Sequence, residues 1–218
     1  MSSNWITVFS YTPNLLGGLK VTIYISLTAL LLSLVIGLIV AVFRTFPNRL
    51  LNRLGLAYVE FFQNTPLIIQ VFFFYLGGPS IGIMLPRVYC GMLGLAVYTG
   101  AYIAEVFRAG IQAVPSGQAE AARSSGMTYL QAMRYVIIPQ AVKIVLPPLG
   151  NQTINLVKNS AILSTIAVGD LMYQTNIASS DTFIVFEFFI FAALLYLCIT
   201  VPLSQLVNLM ERRFKAGH

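Results

Sequence analysis

Charge is what this sequence has least of. Of 218 residues only twenty carry charge at neutral pH, 13 Lys and Arg with 7 Asp and Glu, which is 9% against an apolar share of 57%. Soluble globular chains carry about 25% charged residues. A chain with so few cannot coat itself for water, and a soluble monomer is excluded. Histidine occurs once, as His218 at the last position, which leaves no Ser/His/Asp or Cys/His set and no histidine cluster for a metal. The two cysteines, Cys90 and Cys198, stand among apolar residues and read as packing residues, with neither a disulfide framework nor a thiolate metal site. No glycine-rich loop ending in Gly-Lys-Ser/Thr occurs, so the chain by itself has no P-loop for a nucleotide. Any energy it uses comes from a gradient or from a partner. A charged n-region ahead of the first apolar run is missing too, so the N-terminus does not read as a removable signal peptide.

What the sequence does have is long uncharged runs. Val21 to Phe43, between Lys20 and Arg44, is 23 residues, more than the roughly 20 that span ~30 Å of hydrocarbon. Phe61 to Pro86 is also long enough, although Gly77-Gly78-Pro79 and Gly82 should end its helix near Leu76. Cys90 to Ile111 carries Glu105 and Arg108 near one end, Leu149 to Val168 carries Lys158 inside it, and Phe188 to Met210 carries no charge. The expected fold is therefore an all-α integral membrane protein, one transmembrane domain over 1–218. Its five spans are placed at about 19–43, 57–77, 90–111, 149–168 and 183–208, with a polar helical segment at about 112–140 between the third and fourth.

Ten basic residues fall on one side of this arrangement: Arg44, Arg49 and Arg53, then Arg108, Arg123, Arg134 and Lys143, then Arg212, Arg213 and Lys215. Only Lys20 and Arg87 fall on the other. The positive-inside rule then puts the N-terminus outside and the C-terminus in the cytoplasm. The net charge of +6 follows from topology, not from a nucleic-acid partner.

The stretch from Pro115 to Pro139 is too polar to cross a bilayer. Pro115-Ser116 starts a helix, Glu120 falls in its early turns, and Gly126 suits a left-handed stop. Thr128 and Gln131 stand at capping-box spacing and start a second short helix that runs to a break at Ile138-Pro139. Ala119, Ala121 and Ala122 leave the first helix little bulk, so another protein can approach it closely. A solvated hairpin between spans is the plainer reading of the same residues.

Glu120-Ala121-Ala122, three residues, Gly126, nine residues, then Val136-Ile137-Ile138-Pro139 resembles the cytoplasmic signature of ABC importer permeases, with Val136 and Ile138 as mild departures. The segments Glu60 to Leu67, Ala101 to Ile111, Pro139-Gln140-Ala141 and Leu156 to Ser160 are similar to the polar amino acid branch of that family. Gln63 departs from it, standing where many members carry Arg. The resemblance implies a coupling helix built from Ser116, Gly117, Gln118, Glu120, Ala121, Ala122, Arg123 and Gly126 that docks on an ATPase subunit. It implies no cofactor bound by this chain, with ATP and magnesium held by the ATPase. It further implies two permease subunits, this chain with itself or with a similar one, two ATPase subunits below, an extracytoplasmic amino acid binding protein above, and residence in the bacterial inner membrane.

Polar groups inside spans are costly and therefore candidates for function. Asn151, Asn155 and Lys158 follow i, i+4, i+7 on the fourth span, with Gln152 and Asn159 beside them; Tyr98, Tyr102 and Glu105 repeat the spacing on the third, flanked by Thr99. Lys158 suits a substrate carboxylate, and Glu105 or side-chain carbonyls suit an ammonium. The alternatives are structural. Lys158 could pair with a carboxylate, Glu105 with Arg108, the two asparagines could cap a break at Pro147-Pro148, Asn64-Thr65-Pro66 could be a kink, and Phe72 to Tyr75 a lipid belt. Two other function classes stay open: a gradient-driven carrier or channel, and a membrane scaffold that moves nothing.

Overall fold

Prolines divide the chain into its elements. The computed structural model describes Ser2 to Lys215, and the only histidine, His218, lies outside the described residues. The first helices are α1 (Ser2–Ser10), α2 (Thr12–Thr45) and α3 (Arg49–Asn64). Pro13 opens α2 in its first turn, and Phe46 ends it in the extended backbone (ψ 142°) that a residue before proline prefers. Asn48 then caps α3 by accepting from the amides of Leu50 and Leu51 at 2.9 and 3.2 Å. Pro66 stops α3 in turn. The chain restarts as α4 (Leu67–Phe72), a π-helical turn Phe73–Gly77 and α5 (Gly78–Ser80).

The second half begins with α6 (Arg87–Gln112), which starts directly after Pro86, and α7 (Ser116–Ser124), directly after Pro115. Next come α8 (Tyr129–Ala132), a second π-helical turn Met133–Ile137 and α9 (Ile138–Asn159). A 3-10 stretch Ser160–Ile166 leads to α10 (Leu171–Thr182), whose first turn is capped by Asp170, with 3.1 Å from the Met172 amide to its carboxylate. The left-handed Phe183 (φ 58°) then turns the chain into α11 (Val185–Lys215). No strand occurs among the described residues.

The centre of the bundle is the contact between α2 and α6. A Cβ built on Gly37 would sit 2.5 Å from Cγ2 of Ile103 and 3.1 Å from the Ala104 amide nitrogen, so the two backbones approach as closely as only glycine allows. Small residues serve this purpose in membrane bundles, where dispersion contacts replace the hydrophobic drive. Ile25, Val71, Leu95, Leu156 and Leu163 complete a core shared by α2, α4, α6, α9 and the 3-10 stretch. A second core of Val8, Leu15, Leu171 and Phe188 closes the end of the bundle opposite Arg44.

Among the described residues three helices are long and apolar enough to cross a membrane by length and composition: Thr12–Thr45, Arg87–Gln112 and Val185–Arg213. The expected second span is not one helix, because Pro66 breaks it and leaves Leu67–Ser80 as a shorter apolar piece. The expected fourth starts earlier, at Ile138, and changes to a 3-10 helix at Ser160. The count of five is thus not reproduced by length and hydropathy alone. The anticipated break at Ile138-Pro139 is also absent: the chain stays helical from Tyr129 through to Asn159, and Pro139 lies in the first turn of α9 directly after the π-helical turn, where the backbone hydrogen-bond register changes. Pro147 and Pro148 likewise lie inside α9, so Asn151 and Asn155 cap nothing there. At Thr65 the chain breaks where a kink was expected, although its hydroxyl takes up freed backbone as expected, donating to the Phe61 carbonyl at 2.7 Å. The aromatic run divides: Phe73 faces outward, whereas Phe72, Phe74 and Tyr75 pack on the core. The cysteines divide too, Cys90 buried and Cys198 exposed on the outer face of α11.

Candidate functional site

The polar faces predicted on the third and fourth spans meet. Tyr98, Thr99 and Tyr102 of α6 stand opposite Gln152, Asn155, Lys158 and Asn159 of α9 around a cavity of about 420 Å³. Both helices present them at one-turn intervals, which is why residues far apart in sequence form one wall. The two tyrosine rings lie with centroids 5.0 Å apart and their hydroxyls 3.3 Å apart. Lys158 is exposed and makes no ion pair among the described residues.

A second cavity of about 460 Å³ continues toward the Arg44 end, lined by Gln63, Tyr102, Glu105, Ala109, Pro148 and Gln152 among others. Tyr102 and Gln152 belong to both cavities and form the waist between them. Gln63 is held there by donating to the Ala101 carbonyl at 3.3 Å. Glu105 is claimed from two sides: Arg108, one turn on, donates to it from Nε at 3.0 and 3.1 Å and from its terminal amino group, and Arg44 of α2 reaches it across the helix interface. Its carboxylate is therefore neutralised before any ligand arrives. Asn151 is exposed and lines neither cavity.

The polar segment between α6 and α9 has two sides. Gly126 closes α7 with φ 84°, a conformation that disfavours a side chain, and Thr128 and Gln131 complete the capping box that starts α8. Glu120 falls in the second turn of α7, beyond the free amides at the helix start. Ala119 turns inward onto a small apolar core with Val114, Ile137 and Ala141, and Ala122 is buried, so of the three alanines only Ala121 is open to an approaching surface. Ser116, Gly117, Gln118, Glu120, Ala121, Arg123 and Gly126 are exposed together. Tyr129 joins the segment to the end of α2, its hydroxyl donating to the Thr45 carbonyl at 3.1 Å.

Sequence reasoning placed Tyr98, Tyr102, Asn155 and Lys158 together, and the structure brings them to one cavity. It set Gln152 beside the stripe without a role, and it had no means to find the waist, which depends on how α6 and α9 cross. The contact of Arg44 with Glu105, sixty-one residues apart, left no local signal either.

The sequence pattern of binding-protein-dependent transport system inner membrane components matches residues 33–216. The chain is 52% identical over 197 residues to the probable glutamine ABC transporter permease protein GlnM of Bacillus subtilis (strain 168), covering 90% of this chain and 91% of that one. It is 37% identical over 211 residues to the glutamate/aspartate import permease protein GltJ of Escherichia coli (strain K12), covering 91% and 86%. Among solved structures, a crystal structure of an amino acid ABC transporter with histidines superposes with a TM-score of 0.91 at 41% identity, covering 95% of this chain and 97% of that one.

Proposed function

The chain belongs to the family of binding-protein-dependent transport system inner membrane components, and on that premise we propose that it is the permease subunit of an ATP-driven importer of polar amino acids. The relatives named for glutamine and for glutamate/aspartate support that substrate class. In this reading the chain lies in the inner membrane with its N-terminus outside and its C-terminus in the cytoplasm, as the ten basic residues argue. Two such subunits, this chain twice or with a similar one, enclose the path. An extracytoplasmic binding protein delivers substrate, and two ATPase subunits hold the ATP and magnesium.

One observation carries the proposal. The exposed face of α7 is fixed through an apolar core of Val114, Ile137 and Ala141 to the ends of α6 and α9, the two helices that wall both cavities. A partner that displaces α7 therefore displaces those walls. ATP binding in the partner closes its dimer, α7 follows, and the bundles rock so that the cavities face outward. Hydrolysis resets them. Lys158, Asn155, Tyr98 and Tyr102 contact the substrate, with the carboxylate on Lys158. Glu105 holds the helix ends together through its two arginines.

Glu120→Lys and Gly126→Trp test this, because both act on the docking face and neither touches a cavity. Both should abolish uptake and substrate-stimulated ATP hydrolysis while the chain still inserts into the membrane. Normal coupling in both variants would overturn the proposal, as would flux of amino acid down its gradient through the chain alone in liposomes.

A further inference from the structure

The seven acidic residues of the chain can each be placed. Glu120 is on the exposed face of α7, and Glu211 lies near the end of α11. Asp181 and Glu187 flank the turn between α10 and α11. Asp170 is fully buried as the cap of α10, and Glu60 on α3 lines neither cavity. Of the seven, Glu105 alone lines either of the two cavities described above, and two arginines occupy it.

The opposite sign is present and free. Lys158 lines the first cavity without an ion pair among the described residues, and around Glu105 the guanidiniums of Arg44 and Arg108 outnumber the one carboxylate. The remaining polar lining is amide and hydroxyl: Gln152, Asn155, Asn159, Tyr98 and Tyr102. Amides and hydroxyls both donate and accept, so they serve a neutral amide, a carboxylate or a cation without choosing by sign, and the choice falls to the unpaired charge in the lining. The zwitterionic part of an amino acid places its carboxylate on Lys158 and its ammonium on side-chain carbonyls. A second cation on the side chain would then find in the two cavities no carboxylate but Glu105, which two arginines already occupy, and would face Lys158. Like-charge juxtaposition of this kind rejects a ligand whatever its shape.

From this charge inventory, and resting on the reading of the chain as an amino acid permease, we infer that the path admits amino acids of zero or negative net charge and rejects those with cationic side chains. The discrimination lies in the permease itself, through Lys158 as the specificity-determining residue, and does not depend on the external binding protein alone.

The test is equilibrium binding of radiolabelled glutamine, glutamate, arginine and lysine to the complete permease–ATPase complex in nanodiscs, with the external binding protein left out. Glutamine and glutamate should bind, with arginine and lysine at least tenfold weaker. Lys158→Glu should weaken glutamate and strengthen arginine by tenfold or more each, and Lys158→Met should narrow the gap. Arginine or lysine binding the wild-type complex as tightly as glutamine would overturn the inference and leave the permease assignment standing. Absence of binding by all four would overturn the placing of substrate in these cavities, and the inference with it. Loss of coupling in the α7 variants is a separate outcome that bears on the assignment alone.

Discussion

The phenol of Tyr129 donates to the carbonyl of Thr45 across eighty-four residues of sequence, at 3.1 Å. It ties the start of α8 to the end of α2. Asn52 of α3 donates to the carbonyl of Arg44, one residue earlier, at 2.7 Å, and the Arg44 guanidinium reaches Glu105 on α6. Four helices thus converge on two consecutive residues.

Removing the hydroxyl alone tests the weight of that tie. A hydrogen bond contributes about 0.5–1.5 kcal/mol net, and Tyr129 is partly open to solvent, so Tyr129→Phe should fall at the low end. Amide hydrogen exchange over residues 128–137 should speed up about two- to tenfold while exchange in α6 stays as it was. Unchanged exchange over 128–137 would show that the apolar core beneath α7 holds the segment without help.

Glu105→Gln should destabilise the bundle. The substitution leaves Arg44, only 13% exposed, beside a neutral amide. The loss of a charge-assisted contact with a mostly buried cation is worth about 1–3 kcal/mol, discounted here because Glu105 itself is 36% exposed. Its melting temperature in a fixed detergent should drop by a few degrees. Adding Arg44→Met should cost less than the two single changes summed, since the second removes the stranded charge.

Gly37→Val should be among the most damaging single changes in the spans. Its side chain would meet Ile103 and the backbone of Ala104 at 2.5 to 3.1 Å, where neither helix can give way without moving the other. Overpacking of this kind costs about 1–3 kcal/mol. Gly17→Ala in the same helix meets nothing within 4 Å and should be neutral or slightly stabilising, alanine being the better helix former. Equal folded yields for the two variants would refute the close contact of α2 with α6.

Asn155 and Asn151 separate lining from neighbourhood. Both lie on α9, one turn apart, but only Asn155 lines a cavity. Asn155→Leu should raise the KM for uptake about tenfold, the worth of roughly one hydrogen bond to a charged group. Asn151→Leu should change it less than about threefold on the same scale. The reverse order would move the substrate one turn along the same face of α9, toward Pro148.

Much of this architecture was legible because the membrane imposes simple demands. The runs from Val21 and Cys90 have helical length and little or no charge, and both lie within single helices, α6 close to its expected extent and α2 starting seven residues earlier at Thr12, while the charge-free run to Met210 is the body of α11. The capping box at Thr128 and the left-handed Gly126 were readable because their chemistry is local. The second and fourth spans differ from expectation at their edges for opposite reasons: Pro66 reads as a kink within a span, and Pro139 and Pro147-Pro148 read as breaks. Pro66 does break the chain, whereas Pro139 sits in a first turn and Pro147 and Pro148 are carried inside α9. Which outcome holds depends on whether neighbouring helices and side chains take up the freed carbonyls, and no local pattern records that. At the site, periodicity found the two stripes. It could not find the waist at Tyr102 and Gln152 or the bridge from Arg44 to Glu105, since both depend on how helices cross.

The tight seat of Gly37 against Ile103 also bears on biosynthesis. The chain is made from its N-terminus, so α2 enters the bilayer well before its closest partner, α6, is complete at Gln112. Until then its Gly37 face meets only lipid. Of the three long apolar helices α2 is the most apolar and α6 the least, with more than half of the apolar window of α6 buried in the finished bundle. The helix that must wait is the one that lipid tolerates alone, and the helix carrying Glu105, Tyr98 and Tyr102 is made after α2, α3 and α4, on all of which it packs.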